Sequence, residues 1–265
     1  IIVREYAARH PEWKGLHYTL ARFYIIQRKW DLAEQEIEKL YMLNPQHENL
    51  PFLRGDFAFF QGDWDRAEAE WNKTNSERFP YFKFYIIADL ANIRGKTKAT
   101  LKSYREAAAY ASKKGDVDSE NWFHSYLAYL YFREGKFREA LSEIDQVKQL
   151  PSVLKRYLAM AEIQLQRALL HTAMGDRQLG EKYFSLAGET LSEEDKGTQA
   201  WQRLFSLYRG QMEFVTENYG RAIELLQRFL SLIPYQRWQE DFSWHRSDCL
   251  YMIASAHARM GDLQI

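Results

Sequence analysis

One short pattern recurs along this chain and constrains its fold more than any other feature. The segments FFQGDWDRAEAEW (Phe59–Trp71) and YFREGKFREALSEI (Tyr131–Ile144) share an order of residue types: aromatics, Gly, a polar residue, an aromatic, two polar residues and Ala. Ala33 and Ala67, which hold the same place in two copies, are 34 residues apart. A fixed period of this size predicts structural repeats that stack on one another.

Further copies extend the pattern over the chain. Strong copies place a small residue three positions after an aromatic, in the pairs Trp30 and Ala33, Trp64 and Ala67, Phe137 and Ala140, Tyr219 and Ala222. Weaker copies occupy Gly95–Tyr104 and Gly175–Phe184. The spacing grows later in the chain, with 40 residues from Ala140 to Gly180 and 42 from Gly180 to Ala222. The later repeats therefore need longer helices or loops.

Each repeat is predicted to be a pair of helices. Apolar residues recur at helical spacing, as in Leu16–Ile26, and alternating β-branched residues are scarce. Small residues are expected where two helices cross closely, at Ala21, Ala33, Gly55, Ala67, Ala128 and Ala140. The longest loop is expected over Leu232–Asp248. Enlarging Ala67 or Ala140 should destabilise the fold, whereas Glu36 is expected to be exposed and tolerant of change.

The repeats resemble those of the tetratricopeptide repeat (TPR) family. The matching residues are Leu20, Ala21, Tyr24, Trp30, Ala33 and Pro45 in one repeat, and Leu127, Ala128, Tyr131, Gly135, Phe137 and Ala140 in another. The resemblance implies an all-α fold, an α-solenoid of tandem helix-turn-helix repeats wound into a right-handed superhelix. It covers 1–265 as a single solenoid. The expected half repeats are 1–12 and 240–265, and the expected full repeats are 14–46, 48–80, 81–116, 118–152, 156–192 and 200–236. The first residues, IIVREYAARHP, resemble the middle of a helix, so we expect a fragment of a larger protein.

Composition narrows the class of function. Lys and Arg total 36, as do Asp and Glu, so the chain lacks the basic surplus of a nucleic-acid-binding protein. No apolar run approaches the roughly 18 residues of a membrane-spanning helix. Cys249 is the only cysteine, which excludes an internal disulfide and a thiolate metal site. The lack of cysteine pairs favours the cytoplasm as the compartment and is compatible with a periplasm.

The usual catalytic and phosphate-binding motifs are absent from the sequence. His245, Cys249 and His257 fall loosely on one helical face, but no second group of ligands accompanies them, and a structural role is expected. The acidic run Ser192–Asp195 is predicted to be a helix cap or a solvated loop. We therefore expect no enzyme activity, no metal and no cofactor.

The family resemblance implies a ligand groove along the concave surface lined by first helices. The residues projected onto this groove are Tyr18, Arg22, Phe52, Asp56, Phe59, Tyr85, Asp89, Trp122, Tyr129 and Phe132. The rings would supply buried area and the charges would fix the register of the partner. The alternative is that individual rings pack between adjacent first helices. Tyr18 and Arg22 stand where the family's carboxylate clamp has Lys and Asn, so binding of chaperone tails is not expected.

The sequence thus predicts a non-catalytic protein–protein interaction scaffold that binds a peptide or helix of a partner in an aromatic concave groove. The alternative is a regulatory or sensor segment of a multidomain signalling protein or transcription activator. That segment would bind a small ligand or another domain of the same polypeptide. A third interpretation is an envelope protein that guides assembly. Neither nucleic acid nor membrane insertion is expected.

Overall fold

The computed structural model describes residues 13–74, 81–148, 157–233 and 243–261. These residues are largely helical, and no β-strand occurs among them. The predicted half repeat 1–12 lies outside the described residues. The chain divides into two compact units, Ile1–Tyr110 and Ala111–Ile265, whereas the repeat pattern predicts one continuous array.

The first unit is built from helices that follow one another in packed pairs. Its helices are α1 (Lys14–Ile26), α2 (Trp30–Leu43), α3 (Leu50–Phe60), α4 (Trp64–Trp71), α5 (Phe82–Ile93) and α6 (Thr97–Lys114), the last of which extends past the boundary. Helix α1 packs on α2 and α3 packs on α4, while α1 also contacts α3. The hydroxyl of Ser103 on α6 donates to the carbonyl of Phe84 on α5.

The second unit repeats this arrangement with longer helices. Its helices are α7 (Val117–Arg133), α8 (Phe137–Gln146), α9 (Tyr157–Ala173), α10 (Arg177–Glu189), α11 (Glu193–Gly197), α12 (Gln199–Val215), α13 (Tyr219–Ser231) and α14 (Ser243–Arg259). The pairs are α7 with α8, α9 with α10, and α12 with α13. Helix α12 also contacts α9 on one side and α14 on the other.

Short turns join the two helices of a pair. Gly62 and Gly135, at φ 84° and φ 71°, adopt the left-handed conformation that ends a first helix. Arg28 and Glu217 adopt the same region at φ 56° and φ 64°, although L residues with side chains rarely do so. The turn geometry is therefore kept where the glycine of the pattern is missing.

Small residues lie at the helix crossings. All six predicted positions are buried: Ala21, Ala33, Gly55, Ala67, Ala128 and Ala140. In the first unit, Ala67 belongs to a core cluster with Trp71 and Leu90. In the second unit, Leu165 and Phe229 belong to a larger cluster that also buries Cys249. Apolar burial of this kind is the main stabilising contribution to folding.

Two expectations about local structure are wrong and one is confirmed. Glu36 is only 8% exposed, because it lies between α1 and α2 opposite a buried histidine. The loop predicted over Leu232–Asp248 ends sooner, since α14 begins at Ser243; residues 234–242 lie outside the described part of the chain. Ser192 caps α11 in a capping box with Asp195, as predicted for the acidic run.

Candidate functional site

Four of the residues projected onto the groove come together in the first unit. Tyr18 and Arg22 lie one turn apart on α1, and Phe52 and Asp56 lie one turn apart on α3. The Cζ atom of Arg22 is 5.9 Å from the ring centroid of Tyr18 and 5.9 Å from that of Phe52. We name these four residues the α1–α3 cluster. It combines a cation with two aromatic faces.

The carboxyl group of Asp56 adds a titratable group to the α1–α3 cluster. Burial raises the pKa of Asp56 to about 7, although the positive charge of Arg22 and a hydrogen bond from Trp71 act in the opposite direction. The indole Nε1 of Trp71 donates to Asp56 Oδ1 at 3.3 Å. The charge of the cluster therefore changes close to neutral pH.

Gly55 explains why Trp71 can reach Asp56. A Cβ atom on residue 55 would lie 2.2 Å from Cδ1 of the Trp71 ring, which is closer than atoms can approach. With glycine at this position, the indole lies against α3, where Trp71 is 8% exposed. The small residue that the repeat pattern demands thus also positions the hydrogen-bond donor of the site.

The other projected residues of the first unit take part in packing. The ring of Phe59 lies 5.4 Å from that of Trp71 and contacts the core cluster around Ala67. The ring of Tyr85 meets Tyr104 edge-on at 6.3 Å. The side chain of Asp89 lies outside the described part of the structure. Phe59 and Tyr85 therefore each contact a ring on the second helix of their own hairpin, rather than on an adjacent first helix.

In the second unit, one face of α7 carries a continuous ladder of rings. The ring of Trp122 stacks on Tyr126 at 5.3 Å with an interplanar angle of 6°, and Tyr126 lies 5.7 Å from Tyr129. The Cζ atom of Arg133 is 5.8 Å from the Tyr129 ring. We name Trp122, Tyr126, Tyr129 and Arg133 the α7 ladder. Trp122, at one end of this ladder, is 42% exposed.

The other end of the α7 ladder contacts α14. The hydroxyl of Tyr129 donates to Asp248 Oδ2, and Arg133 Nε lies 3.5 Å from Asp248 Oδ1. The ring of His245 meets Tyr129 edge-on at 5.2 Å. Burial, and then the charge of Asp248, raise the pKa of Tyr129. The polar end of this projected groove residue is therefore engaged within the chain, while Phe132 packs against Phe137 at 5.8 Å.

A second group of buried polar residues joins α9 to α12. The hydroxyl of Tyr208 donates to Glu162 Oε1 at 3.1 Å and accepts from Gln166 Nε2 at 3.3 Å. Burial raises the pKa of Glu162. The sequence interpretation missed this group. Its signal is the pair of polar residues one turn apart on α9, Glu162 and Gln166.

The buried polar atoms of the second unit that lack a hydrogen-bond partner among the described residues include Oε1 of Gln166 and Nδ1 of His245. Burial lowers the pKa of His245 to about 4, so its ring is neutral at physiological pH. Buried polar atoms are usually paired, and an unpaired one costs stability. These atoms are therefore candidates for contact with a polar ligand.

Two histidine–glutamate pairs were also missed. His17 Nδ1 and Glu36 Oε2 are 2.6 Å apart, and His124 Nδ1 and Glu143 Oε2 are 2.8 Å apart. Each pair joins the two helices of a hairpin, and each is separated by 19 residues in the chain. That equal separation at the same place in two repeats is the signal that could have identified them.

Some kinds of site find no support in the described residues. Across 13–74, 81–148, 157–233 and 243–261, no three His, Cys, Asp or Glu side chains are grouped so that they could hold a metal ion. No helix in these ranges is long and apolar enough to cross a lipid bilayer.

Comparison of the sequence with models of known protein families gives no match, and comparison with curated proteins gives none.

Proposed function

We propose that this chain is a non-catalytic protein–protein interaction scaffold of TPR-like repeats. It binds a peptide or helix of a protein partner at the α1–α3 cluster. The observation that carries the proposal is the position of Arg22, whose guanidinium lies 5.9 Å from the rings of both Tyr18 and Phe52. Asp56 lies close enough for its charge to interact with Arg22.

The chemistry of the α1–α3 cluster suits an interaction surface. Tyr18, Phe52, Arg22 and Asp56 are all partly buried, so a partner can remove their remaining surface from water at a small ordering cost. Aromatic residues and Arg dominate the binding energy of protein interfaces. Charge-assisted hydrogen bonds from Arg22 would set the register of the bound segment.

Helix contacts support the solenoid part of the proposal. First helices of successive pairs touch one another, α1 with α3 and α9 with α12, while α2 contacts α3 and α13 contacts α14. Contacts between nearest-neighbour hairpins are what stacked repeats require. We propose a right-handed superhelix by resemblance to the TPR family.

The test begins with a displayed library of random peptides, from which a peptide that binds the chain is selected. The affinity of that peptide for the chain is then measured by calorimetry. Arg22→Gln and Phe52→Ala should each weaken binding at least tenfold, or about 1.4 kcal/mol. Tyr41→Ala is the matched control, because Tyr41 is an exposed ring on the second helix α2. Trp122→Ala and Phe59→Ala test the remainder of the projected groove.

Calorimetry distinguishes three results. Loss of affinity in Arg22→Gln and Phe52→Ala, with Tyr41→Ala unchanged, supports the proposal. Loss only in Trp122→Ala moves the binding surface to the α7 ladder. Unchanged affinity in all four groove variants removes the aromatic groove from the function of this protein.

A second candidate function is a regulatory segment that senses a small polar ligand in the second unit. The unpartnered Oε1 of Gln166 and Nδ1 of His245 favour it, because both atoms are buried. A small-molecule screen by thermal shift would test it. Gln166→Leu should abolish the shift given by a true ligand of this site, whereas Gln202→Leu on the neighbouring helix α12 should not.

A further inference from the structure

The carboxyl group of Glu162 on α9 is buried without a positive charge to balance it. The guanidinium groups that flank it on α9 and α12 pair elsewhere, Arg167 with Asp145 and Arg209 with Glu181. Among the residues that the structure describes, no Lys, Arg or His forms an ion pair with Glu162, and no positive charge offsets its burial. Buried charges in proteins are normally paired, so this carboxyl group is an exception.

Gln166 lies one turn from Glu162 on the same side of α9. Its Nε2 donates to the hydroxyl of Tyr208 at 3.3 Å, and that hydroxyl donates to Glu162 Oε1 at 3.1 Å. The other amide atom, Gln166 Oε1, is buried and has no hydrogen-bond partner in the described part of the chain. We name Glu162, Gln166 and Tyr208 the α9–α12 polar group. Its hydrogen bonds leave a carboxyl oxygen and an amide oxygen as acceptors.

Both acceptors would be stabilised by a donor that carries positive charge. Burial raises the pKa of Glu162, because the chain does not compensate the ionised form of this carboxyl group. A buried acceptor without a donor also costs stability. A ligand with a positive charge and several N–H groups would satisfy Glu162 and Gln166 together, since both side chains bond the same hydroxyl of Tyr208.

A guanidinium group is the cation that suits these acceptors best. Its N–H donors lie in one plane, which matches the two oxygens of a carboxylate, and it is more weakly hydrated than an ammonium group. It has N–H donors in addition to those that a carboxylate uses, so one remains for Gln166 Oε1. Glu162 and Gln166 each keep part of their surface exposed, which gives the ligand a route from solvent.

We propose that the α9–α12 polar group binds a small ligand that carries a guanidinium group, with Glu162 as its counter-ion and Gln166 Oε1 as a second acceptor. The inference rests on the second candidate function, the sensing of a small polar ligand, and names the chemical class of that ligand. It does not depend on the peptide site at the α1–α3 cluster. Tyr208 is a positioning residue, because its hydroxyl holds both acceptor side chains.

The test compares two probes, butylguanidinium and butylurea, which match in shape and differ in charge. Each is titrated into the full chain by calorimetry. Butylguanidinium should bind the wild-type chain at least tenfold more tightly than butylurea. Glu162→Gln keeps the side-chain volume and removes the charge, so the two probes should bind this variant equally. Glu189→Gln is the matched control, since Glu189 is exposed on α10, and it should keep the tenfold preference.

Two further variants locate the site. Gln166→Leu removes the second acceptor and should weaken the binding of both probes at least tenfold. Arg22→Gln, in the α1–α3 cluster, should leave both affinities unchanged, which separates this site from the peptide site. The unfolding temperature of each variant without a probe shows that the variant is folded.

The outcomes separate the ligand class from the function on which it rests. A preference for butylguanidinium that Glu162→Gln removes and Glu189→Gln keeps supports the inference. Equal binding of both probes to the wild-type chain, weakened by Gln166→Leu, overturns the guanidinium class and leaves the second candidate function standing. No binding of butylguanidinium, or a preference that Glu162→Gln does not change, overturns the inference. The second candidate function itself fails only if the thermal-shift screen also yields no ligand that is sensitive to Gln166→Leu.

Discussion

His17 and Glu36 form a buried polar contact across the first hairpin, with 2.6 Å between His17 Nδ1 and Glu36 Oε2. His124 and Glu143 repeat this contact between α7 and α8 at 2.8 Å. Glu36 also accepts from Lys39 Nζ at 2.7 Å. Two repeats therefore join their helices by the same polar pair in addition to apolar packing.

Removing the carboxylate of Glu36 should destabilise the first unit. Glu36→Ala removes the carboxylate that contacts the buried ring of His17, which we expect to cost about 1–3 kcal/mol in the free energy of unfolding. Urea denaturation followed by circular dichroism measures the change. Glu34→Ala is the control, since Glu34 is exposed on the same helix and should shift stability by less than about 0.5 kcal/mol. Equal effects of the two substitutions would contradict a role for the pair.

Enlarging residue 55 should displace Trp71. Gly55→Ala places a Cβ atom in the space of the indole, and we expect a loss of about 1–3 kcal/mol of stability. The indole N–H resonance of Trp71 should also move, because its bond to Asp56 is broken. The control is Gly15→Ala on α1, where nothing lies within 4 Å of the added atom, and stability should stay the same or rise. A stable Gly55→Ala protein with an unmoved resonance would refute the packing.

The helix crossing at Ala67 should be destabilised by a larger side chain. Ala67 is fully buried, so Ala67→Leu should overpack the crossing and cost about 1–3 kcal/mol in thermal or urea unfolding. Ala69→Leu, two residues further along α4 at an exposed position, should be tolerated. The same substitution thus separates the buried position from the exposed one. Similar losses at both sites would show that the crossing lies elsewhere.

The stability of the first unit should depend on the ionisation of Asp56. Its pKa rises from 3.8 to about 7 on folding, so the folded state holds a proton that the unfolded state releases. This contribution to stability is fully present below pH 3.8 and is lost as the pH rises through 7. Asp56→Asn cannot ionise, so we expect it to be more stable than wild type at pH 8 and to lose that advantage toward pH 4.

Carbon-13 NMR of the Asp56 carboxyl group measures its titration directly, and urea midpoints of both proteins at pH 4, 6 and 8 measure its effect. Two results together would mean that Asp56 is solvated. One is a titration midpoint of the carboxyl group near pH 3.8, and the other is a urea midpoint that changes with pH in the same way for wild type and Asp56→Asn.

Repeats and turns could be read from residue types because each depends on short-range requirements. Gly62 and Ala67 mark a turn and a crossing within one hairpin, and their conformation and burial follow from local sterics. The placing of Tyr18 and Phe52 on the same surface could also be projected, because residues one repeat apart occupy equivalent places, and both rings lie near Arg22. Glu36 was misjudged since its partner, His17, lies on the other helix of the hairpin and leaves no local signal beside it.

By itself, the sequence determined that this protein is helical, that its helices come in pairs, and which small residues lie between them. Those properties depend on helical periodicity and on the volume of single side chains. Only the tertiary structure decided that Tyr129 donates to Asp248, because that contact depends on where distant helices come to lie. It also decided that Trp71 donates to Asp56, because that contact depends on how closely the two helices of one hairpin pack. Repetition makes neighbouring hairpins equivalent, but it does not specify which polar side chains meet across several of them.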